Sequence, residues 1–323
     1  MATDGLLGAH VLDGAGRSRA IGWDGVDAWR PEQGVLWLHL DHAEPAVRSW
    51  LAQKAGLDEA IVEALTAEEP RPRSVVRGEA LLVILRGVNL NPGADPEDMV
   101  SIRLWVEATR VISLRHRRVM AVGDLEASLA TGNGPRTAGE FLVEICSLLA
   151  DRMSTVLSDL DCDVDSLEDE VLTAERHELR SRIGEARRQA IGLHRYLAPQ
   201  RDAVTRLYSE RVPWLTELDR AYLREVADRV TRYVEDLDSI RDRAAVAQDT
   251  LNGRLSEQMN RNMYVLSVVA AIFLPLGLLT GLLGINVKGI PGEEDPAAFA
   301  IVCSLLVVIA IAEIWFFRRK RLI

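Results

Sequence analysis

The residues with chemistry to offer are few and scattered along the chain. His39 and His42 bracket Asp41 at the end of an aliphatic run, and imidazole with carboxylate is a donor set that zinc accepts. On a strand, positions three apart point to opposite faces, so a chance pairing is the better reading of this trio. Asp159, Asp161, Asp163 and Glu170 have the spacing of a calcium loop. Val164 stands where that loop needs glycine, and the segment lies on an apolar helical stripe. An acidic helix face, either solvated or concentrating cations, is expected instead. His177 and His194 are joined by nothing in the sequence. Cys146, Cys162 and Cys303 match no disulfide framework or zinc spacing. No nucleophile elbow, P-loop or dinucleotide fingerprint is present, so neither an enzyme nor a cofactor is expected.

These groups sit in a chain of 323 residues with a net charge of −10, which argues against a nucleic-acid partner. Residues 1–19 have no apolar core, and no secretory signal is expected. The apolar residues are concentrated at the other end. Met263 to Leu283 carries no formal charge, and at 1.5 Å per residue it would cross the ~30 Å core of a bilayer. Ala297 to Phe317 is a second such run, interrupted only by Glu313. Arg254 and Arg261 precede the first span, and Arg318, Arg319, Lys320 and Arg321 follow the second. The positive-inside rule then places both ends in the cytoplasm and the loop outside.

The elements divide the chain into six segments. Residues 1–135 read as an α/β domain. Its strands are expected at Val35–Leu40, Ala80–Val88, Ser101–Val106 and Arg110–Leu114, the last two as a hairpin, with helices at Ala46–Ala55 and Asp58–Ala67. Residues 136–262 form a helical and stalk region with three helical patterns. In the third, Leu223, Val226, Val230, Tyr233, Leu237, Ile240, Ala244, Ala247 and Leu251 alternate steps of three and four, which reads as a coiled-coil seam. Residues 263–283 are the first span, 284–296 the outer loop, 297–317 the second span and 318–323 a basic tail.

A hairpin of two spans encloses no polar path, so a chain of this design that moves ions must assemble in several copies. The first span contains no ionisable side chain apart from Tyr264. An ion on it would meet Asn260, Tyr264, Ser267, Thr280 and backbone groups, which suit a cation that keeps its water. Gly277 and Gly281, with Gly284 beyond, offer a small-residue face, for a neighbouring copy or for the chain's own second span. Glu313, the only acid in either span, is either a group reaching the inner interface or a proton relay.

The first span ends in Gly284-Ile285-Asn286, followed by VKGIPG. A Gly-x-Asn tripeptide at the outer end of the penultimate span resembles the CorA-type two-span metal transporter superfamily. The stretches FLPLGLLTG, LLVILRGVN, TGNGP, YLAPQRD and SERVPW are similar to its zinc transport branch, ZntB. The resemblance covers Leu36 to the C-terminus. It implies a funnel-shaped homopentamer in the bacterial inner membrane, with an α/β/α cytoplasmic domain and a long stalk helix entering the bilayer. It also implies zinc uptake coupled to protons. Asn286 is carried over as the pore-mouth ring that binds the ion through its hydration water. Gly277 and Leu274 match pore-lining positions, and Gly284, Leu266, Met263 and Asn260 complete the expected ion path. Lys288 departs from the pattern, and Glu293, Glu294 and Asp295 are expected to offset it at the rim. A CorA-like channel for magnesium, cobalt or nickel is the near alternative; a membrane-anchored scaffold or metal sensor is the other.

Overall fold

The computed structural model describes residues 5–173, 177–284 and 296–319. The chain divides into two compact units, Met1–Asp249 and Thr250–Ile323.

The first unit opens with β1 (Leu6–Leu12), β2 (Ser18–Ala20) and α1 (Trp23–Ala28), then β3 (Val35–Asp41), α2 (Pro45–Gln53) and α3 (Glu59–Thr66). Four strands follow: β4 (Arg73–Arg77), β5 (Ala80–Gly87), β6 (Val100–Val106) and β7 (Arg110–Arg115). All strands join one sheet in the order β2-β1-β3-β7-β6-β5-β4. The β3–β7 pair is parallel, whereas the other pairs are antiparallel. The sheet is therefore mixed. The parallel pair is possible because α2, α3 and three strands supply the long crossover it requires.

Strand alternation gives the sheet two packed faces. Leu36, Leu38, Leu40, Leu82, Ile112 and Leu114 form a core with Val47 and Leu51 of α2 and Ile61, Val62 and Leu65 of α3. On the opposite face Trp37 packs edge-on against Phe141, ring centroids 5.1 Å apart. A Cβ at Gly87 would come within 2.7 Å of Leu149. Phe141 and Leu149 both belong to α5 (Ala138–Thr173), which follows α4 (Met120–Thr131). The domain is thus the expected α/β/α sandwich. Gly132 ends α4 in the left-handed region at φ 82°, and its N–H caps the Leu129 and Ser128 carbonyls.

Two further helices complete the unit, α6 (His177–Ser209) and the start of α7 (Glu217–Leu283), which extends into the second unit. Thr216 and Asp219 begin α7 with a reciprocal cap: Thr216 N–H donates to Asp219 Oδ2 at 2.9 Å and Asp219 N–H to Thr216 Oγ1 at 3.1 Å.

The apolar stripe of α7 is buried at every expected position except one. Val234 takes the place of Tyr233. The line then returns to the expected positions from Leu237 to Leu251. Tyr233 stays at the margin, its hydroxyl 3.4 Å from Arg229 Nη2. The stripe is a seam within a single chain. Arg229 binds Asp151 and Arg243 binds Asp161 on α5, while His194 of α6 lies 3.6 Å from Asp238.

The second unit holds the remainder of α7 and α8 (Ala298–Arg319). Both contain windows long and apolar enough to cross a bilayer, and none of those windows is buried within the chain.

Candidate ion path

At 100° per residue, Asn260, Met263, Leu266, Leu274, Gly277 and Gly284 fall within an arc of about 120° on α7. The helix thus collects all described members of the expected ion path on one face. Met263, Leu266 and Leu274 are more than 60% exposed in the single chain, so nothing among the described residues covers that face. A Cβ at Gly277 or Gly281 would have nothing within 4 Å, so the small-residue face is not used against α8.

Two hydroxyls of the span are turned to its own backbone. Ser267 Oγ donates to the Met263 carbonyl at 2.8 Å, and Thr280 Oγ1 to the Leu276 and Gly277 carbonyls at 3.0 and 3.1 Å. Pro275 lies inside the helix and has no N–H for the Ala271 carbonyl. That carbonyl is thereby freed midway along the span, just outside the stripe. Asn286, Lys288, Glu293, Glu294 and Asp295 lie outside the described residues. Glu313 is half-buried on α8, with one carboxylate oxygen lacking a protein partner.

The scattered candidates do not assemble into a metal centre. Among the described residues no group of three or more His, Cys, Asp or Glu could hold a metal. His39 and His42 do point to opposite faces. His39 is buried, with Nδ1 2.8 Å from Ser113 Oγ, which also accepts from Trp37 Nε1 at 2.8 Å. Burial, with Arg115 and His10 nearby, lowers its pKa to about 3. His42 lies against His116 at 5.4 Å. Its pKa falls to about 4 through burial, with Arg103 and His116 adding to the effect. Both imidazoles are neutral at pH 7. The acidic spacing from Asp159 is helical, within α5, and Arg243 bridges Asp161, Asp165 and Glu168. The acidic face is therefore partly paired, not simply solvated.

Two residues that sequence reading passed over are Arg86 and Arg103. Both lie inside otherwise apolar strands and are buried, Arg103 completely. A charged residue in the middle of an aliphatic strand was the available signal.

The fold and the apolar pair of helices define a membrane transporter class, and comparison with known proteins agrees. The profile of the family described as CorA-like Mg2+ transporter protein matches residues 32–319. The chain is 43% identical over 325 residues to the divalent cation transporter CmaX of Pseudomonas aeruginosa, covering 98% of this chain and 96% of that one. It is 38% identical over 313 residues to the zinc transport protein ZntB of Yersinia enterocolitica, covering 97% and 94%. The structure of full-length CmaX superposes with a TM-score of 0.87 at 42% identity over 99% of both chains. The CorA magnesium transporter of Methanocaldococcus jannaschii shares the fold, with a TM-score of 0.80 at 20% identity over 99% of both chains. The chain belongs to the CorA-like Mg2+ transporter family, whose members are transporters and not enzymes.

Proposed function

We propose that this divalent-cation transporter takes up zinc across the bacterial inner membrane as a homopentamer, with protons as the coupling ion. The observation that carries the reading is the stripe from Asn260 to Gly284 on α7, a helix exposed on all sides here, because that one face carries no charged side chain. One copy of that stripe encloses nothing, whereas several copies facing one another surround a corridor of backbone, amide and small apolar groups. Such a lining favours a cation that retains its hydration shell, with Asn286 accepting hydrogen bonds from that water at the mouth. The ZntB relatives support zinc as the cargo, and the basic residues flanking the spans support cytoplasmic termini. Glu313, an ionisable group within α8, is the proposed proton relay.

A magnesium, cobalt or nickel channel is the second reading, favoured by the family's description and by the lack of thiolate or imidazole on the stripe. Purified protein in vesicles loaded with a zinc-sensitive dye tests both. Zinc entry that accelerates when the outside is acidified is expected. Entry of magnesium, cobalt or nickel without zinc would select the second reading. No flux of any of these from a correctly inserted oligomer would leave a scaffold or sensor whose hairpin is only a tether.

A further inference from the structure

Beyond the ends of β3 and β7, the sheet face that carries α2 and α3 changes from apolar to basic. Register sets Leu40, Leu114, Arg103 and Ile84 side by side across four strands. One row further, Arg86 pairs with Ser101, and His42 and His116 follow the ends of β3 and β7. Arg86, Arg103, His42 and His116 share a cavity of about 680 Å³ with Arg117 and with the carboxylates of Glu68, Glu69 and Asp98.

The floor of this cavity has donor capacity that the protein leaves unused. Arg103 is 0% exposed, and its Nη2 donates to the Ala67 and Glu68 carbonyls at 2.7 and 3.3 Å. Its Nε and Nη1 have no protein partner. Arg86 donates through Nη1 to the Met99 carbonyl at 2.7 Å and through Nη2 to the Pro70 carbonyl at 3.2 Å, with Nε unpartnered. His42 Nε2 is a third unpartnered nitrogen. Among the described residues no carboxylate bonds either buried guanidinium. Asp98 is engaged by Arg117 at 3.1 Å, and Glu68 and Glu69 are exposed. Arg103 is held only by carbonyls, and Arg86 by carbonyls and the Tyr196 ring, whose centroid lies 4.3 Å from its Cζ; burying such cations costs more than these contacts return, unless an anion joins them.

We propose that this cavity is a binding site for a phosphate group, held by Arg103 and Arg86 with His42 as an additional donor. Guanidinium groups match phosphate oxygens in charge and geometry. The volume is within the range of small-molecule pockets, so it accommodates free phosphate or the phosphates of a nucleotide. The site lies wholly in the first unit and is distinct from the ion path.

Isothermal titration of the full-length protein in detergent tests it, with chelator present and ionic strength held constant with chloride. Inorganic phosphate and ATP are titrated separately. Saturable binding near one site per chain is expected, weakened at least tenfold by Arg103→Met and several-fold by His42→Leu. Comparable phosphate and ATP affinities assign a free anion, and much tighter ATP binding assigns a nucleotide. Absence of saturable heat with either ligand overturns the proposal. So does unchanged affinity in a folded Arg103→Met protein. Binding that appears only in a Glu68→Gln, Glu69→Gln double variant also overturns it, because the chain's own carboxylates then close the cavity.

Discussion

Arg243 of α7 donates through Nη2 to Glu168 Oε2 of α5 at 2.6 Å, across 75 residues of sequence. The same guanidinium reaches Asp161 at 2.7 Å and also binds Asp165. One cation thus gathers three carboxylates spread over two turns of α5. Of the four acids whose spacing imitates a calcium loop, Arg243 pairs Asp161, and Arg182 pairs Glu170.

Replacing Arg243 with Met leaves those three carboxylates facing one another. A loss of about 1 kcal/mol is expected, since exposed pairs contribute little singly but this one is a network. Thermal melts at low and high salt check it. The deficit should be largest at low ionic strength and narrow as salt screens the repulsion; an equal deficit at both would show that packing of the arginine stem dominates.

Stability should fall on mild acidification because of His39. Its folded pKa of about 3 lies below the ordinary histidine value of 6.5, so the unfolded state binds more protons between those limits. The contribution is complete above pH 6.5 and is lost as pH falls toward 3, at a slope approaching about 1.4 kcal/mol per pH unit. Urea midpoints read by tryptophan fluorescence should drop between pH 6.5 and 4.5. His39→Asn, which keeps a polar partner for Ser113, should lessen that dependence and leave the part due to His42, whose folded pKa is about 4; an unchanged slope would move its origin away from His39.

Two helical glycines should respond oppositely to alanine. Gly123 of α4 has nothing within 4 Å of an added Cβ, and Gly123→Ala should stabilise by about 0.5–1 kcal/mol. At Gly139 of α5 the new Cβ would sit 2.4 Å from Asp219 Oδ2, the group that caps α7. Displacing that cap costs about 1 kcal/mol or more and adds steric strain, so Gly139→Ala should be destabilising on balance. Paired denaturation curves decide whether the close approach outweighs helix propensity.

Transport should depend on the α7 stripe and on the residue proposed to cap the pore. Asn286→Ala is expected to reduce zinc flux at least tenfold while the oligomer elutes normally in size-exclusion chromatography. Gly277→Leu should lower flux by narrowing the corridor or loosening helix contact. Wild-type flux in Asn286→Ala would remove that residue from the ion path.

Much of the fold is legible in one dimension. β3, β5, β6 and β7 coincide closely with apolar runs, because strands buried on both faces are nearly continuous in hydrophobicity. β1, β2 and β4 escape the same reading for separate reasons. β2 has three residues and no apolar side chain beyond Ala20. β4 is an edge strand with arginine at both ends. β1 is interrupted by Gly8 and His10. The stripe on α7 was legible in period but not in partner, since period is a property of one helix and burial against α5 and α6 is a property of three.

The sequence by itself determined that two helices cross a membrane and that the chain resembles a two-span metal transporter. Both depend on contiguous residues, through hydropathy summed over a window and a motif at its end. Only the tertiary structure decided that His39 and His42 serve different faces, that Arg243 satisfies three acids, and that Arg86 and Arg103 share a cavity. Those relations depend on strand register and helix packing between distant segments, and electrostatic energy depends on separation in space, not along the chain.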